Sequence, residues 1–478
     1  MDSEGDLRQL TSPALQAPQG LLASVREAIR GSQQDFTTGS LNRAIFMLAV
    51  PMVLEMAMES LFAVVDVFWV ARLGSNAVAT VGLTESMLTL VFSVAVGLGA
   101  STTAMVARRT GEKDREGAAV AAVQSILIGA GVAVFVGLAG MRWAPELLHL
   151  MGASSVVVNL GSTYTRIVFG GSASVLLLFL NNAIFRGAGD AAVAMRVLWL
   201  SNLINLLLDP LLIFGLGPFR GLGVTGAALA TTTGRSAGVL YQFFLLARGT
   251  GRIRIRAAHL RVNLDVLLRL LRVSAGGILQ FLVAHTSWIG LMRIVGMFGS
   301  AAIASYTIAI RIIIFIILPS WGLSNAAATL VGQNLGARQP ERAERSVWKA
   351  GLYNMVFLGG VGLFFIFFAE PVVRLFSDDP AIVPLGATCL RMLNYGNVCY
   401  AYGMVMVQAF NGAGDTVTPT VLNMFCYWLW EIPLAYWLAV PGGMRAQGVF
   451  LSIPIAEATV AVAAILLFRR GEWKKKKI

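Results

Sequence analysis

The chain repeats three short motifs at one constant spacing. The pairs are GSNAVA at Gly74 with GSAAIA at Gly299, GEKDREGA at Gly111 with GARQPERA at Gly336, and FRGAGD at Phe185 with FNGAGD at Phe410. In all three pairs the second copy follows the first by the interval from Gly74 to Gly299, which is called here the repeat spacing. Three matches with one spacing are not expected by chance, so the sequence predicts two halves of similar structure.

Composition indicates that these halves lie in a membrane. Apolar residues make up 56% of the 478 residues and charged residues only 13%, whereas soluble domains carry about 25% charged residues. The charged residues lie mostly between long apolar segments. An internal repeat in a protein that crosses the membrane many times is typical of transporters, whose substrate sites lie between the repeats.

Twelve segments are long and apolar enough to cross a hydrocarbon core of about 30 Å as helices. They are predicted at 44–71, 77–107, 118–141, 158–184, 192–217, 223–247, 265–297, 302–332, 346–369, 386–410, 417–440 and 446–468. Because each half contains an even number of spans, both halves enter from the same side and the repeat is parallel. The predicted fold is an all-α membrane protein with two parallel six-helix lobes and a central cleft.

The basic residues predict the orientation and the domains. Most of the 37 Lys and Arg residues lie on the side that holds both termini, which the positive-inside rule assigns to the cytoplasm. We therefore expect a multi-pass protein of the bacterial inner membrane with both termini cytoplasmic. The predicted parts are a polar cytoplasmic tail (1–40), an amino-terminal lobe (41–247), a cytoplasmic linker (248–264), a carboxy-terminal lobe (265–468) and a basic cytoplasmic tail (469–478).

This topology also accounts for the net charge of +12. Basic loops on one side of a membrane are attracted to anionic lipid, so the charge does not indicate a nucleic-acid partner. The basic linker fits either an amphipathic segment at the inner surface or a plain connection between the lobes. The polar amino-terminal tail lacks the apolar core that a cleaved signal peptide has.

Three acidic residues share one face of the first predicted span. Glu55, Glu59 and Asp66 are separated by four and seven residues, which is the spacing of a single helical face. An acid at the centre of a membrane helix costs about 2.5–3.5 kcal/mol, so we expect all three to face an interior cavity and some to be protonated. The alternative is that Glu55 or Glu59 lies near a water-filled mouth and remains ionised without a function.

The fifth predicted span contains a second polar group. Asn205 and Asp209 are one turn apart and share a face, and Pro210 leaves the carbonyl of residue 206 without its helical donor. These oxygens can hold a proton, or a sodium ion with oxygens from other spans. The alternative is a helix kink with a structural aspartate. Other polar candidates in this half are Asn202, Asn181, Asn182, Tyr164, Thr231, Thr232 and Thr233.

The second half has fewer such groups. Its deeply placed acids are Glu431 and Glu457, whereas Leu291 and Leu434 stand where the repeat spacing places the counterparts of Asp66 and Asp209. The coupling chemistry is therefore predicted in the first half. Arg311 is a cation inside the eighth span, which either pairs with an acid across the cavity or extends to a surface.

Five segments carry a resemblance to a known family. They are VVDVFWVARLGSNAVATVGL from Val64, ARRTGEKD from Ala107, NNAIFRGAGD from Asn181, NLLLDP from Asn205 and GVTGAALAT from Gly223. Together they resemble the multidrug and toxic compound extrusion (MATE) family, over essentially all of residues 42 to 470. The resemblance implies a V-shaped pair of six-helix lobes and cation-coupled efflux by rocking between inward-open and outward-open states.

The resemblance is greatest to the branch like the DNA-damage-inducible proteins and implies a set of site residues. Asp66, Asn205 and Asp209 look like the cation site of the amino-terminal lobe in that branch. The residues expected to complete it are Asn182, Tyr164 and a threonine of span 6, either Thr231, which we prefer, or Thr225.

Two further positions follow from the same resemblance. Pro51 resembles a proline implicated in bending the first helix when the site is protonated. Glu59 stands where amides are more usual, which can change the proton stoichiometry or the preference between protons and sodium. The acids that another branch has in spans 7 and 10 are not matched.

These observations predict a cation-coupled antiporter, driven by H+ or Na+, that exports amphipathic or cationic organic compounds by alternating access. A lipid-linked oligosaccharide flippase of the same superfamily is the alternative. The sequence has no nucleophile–base or metal constellation of the kind an enzyme needs, and a non-transporting scaffold would leave the buried acids without a purpose. We expect no cofactor beyond the coupling ion, small-molecule substrates, contact with membrane lipid, and a monomer.

Overall fold

A computed structural model describes residues 20–31, 34–216, 219–249, 251–476 and 478, most of which are helical. Residues 1–19 of the predicted amino-terminal tail lie outside the described residues. The remainder of that tail contains a short helix, α1 (Leu21–Arg30). The tail ends at residue 40, and the first membrane helix begins at Leu41.

The amino-terminal lobe contains the six predicted spans. Its helices are α2 (Leu41–Ala71), α3 (Ser75–Gly111), α4 (Arg115–Leu150), α5 (Ser155–Gly170), α6 (Ser172–Ala188), α7 (Ala191–Phe214) and α8 (Val224–Arg248). Helices α5 and α6 meet at Gly171 and together make one span. A short hairpin, β1 (Gly215–Leu216) with β2 (Phe219–Arg220), joins α7 to α8.

The carboxy-terminal lobe has the same order. Its helices are α9 (Leu264–Gly296), α10 (Ser300–Gly336), α11 (Pro340–Arg374), α12 (Val383–Tyr395), α13 (Asn397–Gly412), α14 (Val417–Asn423), α15 (Ile432–Ala439) and α16 (Ala446–Arg469). Helices α12 and α13 meet at Gly396 and make one span, and a π-helical segment, Met424–Glu431, connects α14 to α15 within another. The prediction of twelve spans in two lobes is confirmed.

Nine helical segments among the described residues are long and apolar enough to cross a membrane. The three other spans are α8, the α12–α13 pair and the α14–α15 pair. Helix α8 carries three consecutive threonines and Arg235, while the two pairs are interrupted by Gly396 and by the π-helical segment. Each of these spans therefore departs from a continuous apolar helix at a polar or irregular position.

The repeat is visible in unusual backbone conformations. Three pairs of residues, each related by the repeat spacing, share them: Gly74 (φ 98°, ψ 175°) with Gly299 (φ 97°, ψ 174°), Lys113 (φ 61°) with Arg338 (φ 58°), and Trp143 (φ −112°, ψ 20°) with Phe368 (φ −105°, ψ 21°). A non-glycine residue with positive φ is uncommon, so agreement at Lys113 and Arg338 is informative. The spacing found in the sequence corresponds to a duplicated backbone.

The two lobes contact each other through α2, α3, α9 and α10. A Cβ atom on Gly97 of α3 would lie 2.4 Å from the backbone nitrogen of Ile278, and one on Gly322 of α10 would lie 2.4 Å from the carbonyl oxygen of Met52. The hydroxyls of Ser101 and Ser274 are 2.6 Å apart across the same interface. Backbones can approach this closely only where side chains are absent or small.

The close contacts lie at one end of the molecule, so the lobes enclose a cleft at the other. The carboxy-terminal half of α3 is largely buried, whereas several residues near its start are exposed. The segment before α2 covers the closed end: Arg342 of α11 donates to the carbonyl oxygens of Gly39 and Thr38, at 2.9 Å each. At the other chain end, Arg108 donates to the carbonyl oxygen of Lys476 at 2.9 Å.

The predicted linker lies at this closed end as well. Its described residues contain one short 3-10 turn, Ala257–His259, and bury Ile253 and His259 against the amino-terminal lobe. Asp190 accepts a hydrogen bond from the backbone nitrogen of Arg252 at 2.6 Å. Burial raises the pKa of Asp190 despite this bond and the charge of Arg252.

We expect Gly97→Ala to weaken the contact between the lobes, because the added methyl group would force α3 away from Ile278. Gly131→Ala on α4 is the matched control, since Gly131 is exposed and its Cβ would have no described atom within 4 Å. Alanine in place of glycine inside a helix stabilises it by about 0.5–1 kcal/mol. Thermal unfolding in detergent should show a lower midpoint for the Gly97 variant and an unchanged or higher one for the control. Equal midpoints would contradict the close contact.

Candidate functional site

The acidic face of α2 lies inside the amino-terminal lobe, against α7, α8 and α6. Glu55, Glu59 and Asp66 succeed one another along this face, and each meets different partners. The three sets of contacts are called here the Glu55, Glu59 and Asp66 layers. They divide the predicted site residues into groups that the sequence did not separate.

The Asp66 layer joins α2 to α7 and α8. Asn205 donates to the Thr231 hydroxyl at 3.0 Å and lies 3.5 Å from Oδ1 of Asp209. Asp209 is fully buried. One carboxylate oxygen of Asp66, one of Asp209 and the amide oxygen of Asn205 are buried without a hydrogen-bond partner among the described residues. The layer therefore has more acceptors than donors, which is the composition that a cation or a proton can satisfy.

Tyr164 belongs to the same layer. It is buried in an apolar cluster with Val70 and Ile213, and its phenol is close enough to Asp66 and Asp209 to interact with them electrostatically. The structure thus brings together Asp66, Asn205, Asp209, Tyr164 and Thr231. Of the two threonines considered, Thr231 is the one that bonds to Asn205.

Two charged residues near Asp66 were missed by sequence reasoning. Glu85 of α3 and Arg235 of α8 both lie close enough to Asp66 to interact electrostatically. Arg311 of the other lobe lies close enough to Glu85 to interact with it electrostatically. This supports the interpretation that Arg311 pairs with an acid across the cavity. The signal in the sequence was a charged residue inside a predicted span, but nothing in the spacing connected these three residues.

Glu59 forms the second layer and is paired. Asn202 donates to its Oε2 at 3.3 Å, and Arg235 lies 3.9 Å from its Oε1. The Arg235 guanidinium also lies over the rings of Phe62 and Phe92, at 5.9 and 5.8 Å. Because Arg235 interacts with both Glu59 and Asp66, a change of charge in one layer changes the electrostatic potential at the other.

Glu55 forms the third layer and is almost completely buried, at 1% exposure. Asn182 donates to its Oε1 at 3.0 Å, and Arg186 lies 3.4 Å from the same atom. Gln242 donates to Asn182 at 2.7 Å. The resemblance placed Asn182 in the Asp66 group, whereas the structure places it beside Glu55. Glu55 is therefore buried among polar partners and does not lie at a water-filled mouth.

Pro51 lies one turn before Glu55. It is buried, and α2 continues as a helix on both sides of it. Proline leaves the carbonyl of residue 47 without its helical donor. Trp199 of α7 donates to the carbonyl of Leu54 at 3.1 Å, so a neighbouring helix holds the backbone of α2 just beyond the proline.

A cavity lies between the lobes near the closed end of the cleft. Met56, Phe179 and Arg186 line it from one lobe, and Phe281, Trp321 and Gln408 from the other. Its volume is about 70 Å³, whereas pockets for drug-sized ligands measure about 300–1,000 Å³. An organic substrate therefore requires the cavity to widen. Its mostly apolar lining with a few polar groups suits an amphipathic molecule.

The described residues contain no group of three His, Cys, Asp or Glu side chains placed to hold a metal ion. The Asp66 layer instead offers two carboxylates with amide and hydroxyl oxygens. Oxygen donors of this kind suit hard cations. The residues present therefore fit a proton or a sodium ion better than a transition metal.

Comparisons with known proteins agree with the duplicated fold. The family model named MatE matches residues 51–211 and 278–437, one segment in each lobe. Probable multidrug resistance protein YoeA of Bacillus subtilis (strain 168) is 24% identical over 441 residues, which cover 91% of this chain and 95% of the relative. Probable multidrug resistance protein NorM of Thermotoga maritima is 23% identical over 449 residues, covering 92% and 94%.

Solved structures show the same similarity. One is described as the outward-facing conformation of a multidrug resistance MATE family transporter of the MOP superfamily. It superposes on this chain with a TM-score of 0.86 at 28% identity, covering 92% of this chain and 98% of that one.

The Glu55 layer makes a prediction about stability. Arg186→Ala should destabilise the protein by about 3–5 kcal/mol, because it leaves a buried carboxylate without its positive partner. Adding Glu55→Gln should restore part of the loss, since the neutral amide needs no counter-charge. Arg196→Ala is the control, because Arg196 is exposed and bonds to a backbone carbonyl. Thermal unfolding of the four proteins measures the effect, and a double variant no more stable than Arg186→Ala alone would contradict the pairing.

Proposed function

Because this chain belongs to the MatE family, we propose that it is a cation-coupled antiporter that exports amphipathic, often cationic, organic molecules. It is a multi-pass membrane protein, and its relatives are named as multidrug resistance proteins. The single observation that carries the proposal is the Asp66 layer, in which Asp66 and Asp209 each have a buried oxygen without a partner among the described residues. A coupling ion needs such a site.

The coupling step follows from charge. Two carboxylates in a shared buried layer repel each other, so binding a proton or a sodium ion favours the arrangement in which α2 and α7 are closest. A ligand can shift a conformational equilibrium only by binding the two states with different affinity. Cation binding at Asp66 and Asp209 therefore favours one of the two access states, and organic substrate binding favours the other.

Helix α2 connects this site to the lobe interface. Its first half is buried against α10, where Gly322 contacts the backbone at Met52, and its second half carries Asp66. Pro51 stands in the first half, where the missing hydrogen bond lowers the cost of bending. A shift of α2 at Asp66 is thus transmitted along the part of the helix that follows Pro51 to the contact at Met52 that closes the lobes.

The proposed orientation rests on the basic residues. The closed end carries the basic linker, Arg108, Arg342 and the described part of the basic tail, and the positive-inside rule supports a cytoplasmic position for this end. The cleft then opens outward. The acids of this region support a preference for cationic substrates, because they outnumber the arginines near them. The acids are Glu59, Asp66, Glu85 and Asp209, and the arginines are Arg235 and Arg311.

We expect Asp66→Asn to abolish export while leaving folded protein in the membrane, because asparagine keeps the shape but cannot gain and lose a proton. Asp378→Asn is the matched control, since Asp378 is exposed in the loop between α11 and α12. Both variants are assayed for ethidium efflux in exporter-deficient cells. Normal efflux by Asp66→Asn would refute the coupling site.

The coupling ion is tested with purified protein in vesicles. Ethidium transport driven by a pH gradient is compared with transport driven by a sodium gradient, for the wild type and the Asp66→Asn variant. In the wild type, the gradient of the coupling ion should drive transport. In the Asp66→Asn variant, neither gradient should drive it. If neither gradient moves an organic cation through the wild-type protein, the antiporter proposal fails and the flippase alternative is favoured.

A further inference from the structure

The carboxy-terminal lobe contains a second pair of acids inside its spans, of which Glu431 is buried and Glu457 is partly buried. Glu431 is 3% exposed and is the last residue of the π-helical segment, while Glu457 lies on the neighbouring helix α16. Tyr427 of the π-helical segment lies 3.3 Å from each carboxylate oxygen of Glu457, to which its hydroxyl donates. Because the sequence predicts the coupling chemistry in the first half, it assigns no role to this group.

The backbone of the π-helical segment is itself unusual. Such segments are rare and are frequently found at functional sites. Tyr427 and Glu431 are four residues apart, so they lie on a similar side of the span. Pro433 follows two residues later and cannot donate a backbone hydrogen bond. The segment thus places one phenol and one carboxylate toward α16.

Two polar atoms at this place lack partners among the described residues. Oε2 of Glu431 and the hydroxyl of Tyr306, whose residue is 2% exposed, are both buried without a hydrogen bond. Both residues line one cavity, which Tyr400, Tyr427 and Glu457 also line. Unpaired buried polar atoms of this kind cost free energy, so their arrangement around one cavity points to something that binds there.

The two acids are not compensated by a salt bridge to any described residue. The titratable groups that face them are phenols and a thiol, namely Tyr306, Tyr400, Tyr427 and Cys426. Isolated carboxylates in a membrane interior are costly. The pair therefore requires at least one bound cation, which a proton can supply.

The size of the cavity restricts the ligand. Its volume is about 60 Å³, and a water molecule occupies about 30 Å³ in the liquid. A proton shared with water or a sodium ion fits this space, and a drug-sized organic molecule does not. Much of the remaining lining is apolar, with Ile310, Ile313 and Ile317 on α10.

A second small cavity lies between this place and the centre of the protein. It is lined by Tyr427 and Glu457 on one side and by Phe281, Trp321 and Gln408 on the other. The latter three residues also line the central cavity between the lobes. Glu457 and Tyr427 therefore lie on the side of the acid pair that faces the proposed path of the substrate.

The repeat supplies an independent reason to associate this place with an ion. By the repeat spacing, Leu291, which lines the cavity, is the counterpart of Asp66, and Tyr427 is the counterpart of Asn202. The cavity thus occupies the part of its lobe that corresponds to the acid layers of the other lobe. The acids themselves are not repeated, since the counterparts of Glu431 and Glu457 in the first half are Leu206 and Thr232.

We propose that Glu431 and Glu457, with Tyr306 and Tyr427, form a second cation site that takes one small monovalent cation, a proton or a sodium ion. The cation exchanges with the central cavity past Tyr427 and Glu457. The site adds a second cation to the proposed antiport function. It rests on that function only for the statement that the bound cation contributes to coupling. Binding itself can be measured without transport.

The test counts cations bound to the purified full-length protein. One arm measures equilibrium binding of radioactive sodium at constant pH, and the other measures proton uptake after a pH drop without sodium. Glu457→Gln and Glu431→Gln should each lose one bound cation per protein in one of the two arms, and that arm identifies the ion. Glu370→Gln is the control, because Glu370 is exposed on α11 and pairs with Arg374 at 2.8 Å.

Two further variants make the result decisive. Tyr427→Phe keeps both carboxylates and removes the phenol that donates to Glu457, so it should weaken binding several-fold without lowering the count. Asp66→Asn should lose a different cation, and combining it with Glu457→Gln should lose both. A wild-type count in both arms for Glu431→Gln and Glu457→Gln would overturn the second site. Normal transport by Asp66→Asn would instead refute the proposed function and leave the second site standing.

Discussion

The cost of a carboxylate inside a membrane governs this structure. Helix α2 cannot present Glu55, Glu59 and Asp66 to lipid, so the other helices of its lobe must surround that face with amides, phenols and arginines. Glu55 and Glu59 receive such partners, each with an asparagine and an arginine. Like Glu55 at its Oε2, Asp66 and Asp209 each keep a buried oxygen that no described donor satisfies. Unlike Glu55 and Glu59, neither aspartate has a described lysine or arginine within 4 Å. The difference divides one acidic face into a part that stabilises the lobe and a part that is free to bind.

The sequence predicted the scaffold well because the scaffold is periodic and duplicated. Apolar segments indicated twelve spans, and the repeat spacing reappears in the backbone, down to the kinks at Trp143 and Phe368. The site was only partly predictable. Asn205 and Asp209 share a helix and could be paired from spacing, whereas Asn182 and Glu55 are 127 residues apart.

Asn182 on α6 can reach one layer of α2 or another. The choice depends on how the two helices are rotated and shifted along their axes relative to each other, and no local sequence pattern determines either quantity. The same reason explains why Glu85, Arg235 and Arg311 were not connected. Each is recognisable alone as a charge inside a span, but their proximity is a property of the packed lobes.

The contact between the lobes explains how a small change at the proposed ion site can reach the whole molecule. Gly97 and Gly322 let α3 and α10 contact backbone atoms of the opposite lobe, and packed backbones of this kind have little room for gradual deformation. Such an interface tends to be either closed or open. Helices α2 and α3 both take part in this contact. They also carry charged residues, since α2 holds Asp66 and α3 holds Glu85. The proposed ion binding and the closure of the lobes therefore involve the same helices.

The two lobes repeat a backbone without repeating its charges. Where α2 has Asp66 and α7 has Asp209, the second lobe has leucines, and its own acids stand where the first lobe has Leu206 and Thr232. A scaffold that encloses a polar pocket accepts an acid from any helix that lines the pocket, provided that the acid faces inward. Duplication therefore fixes where a charged pocket can form, while the position of each acid within it is free to change. Because each lobe contains uncompensated carboxylates, the charge of either lobe can change while that of the other stays fixed. Two lobes that respond separately can bias the same closure in steps rather than all at once.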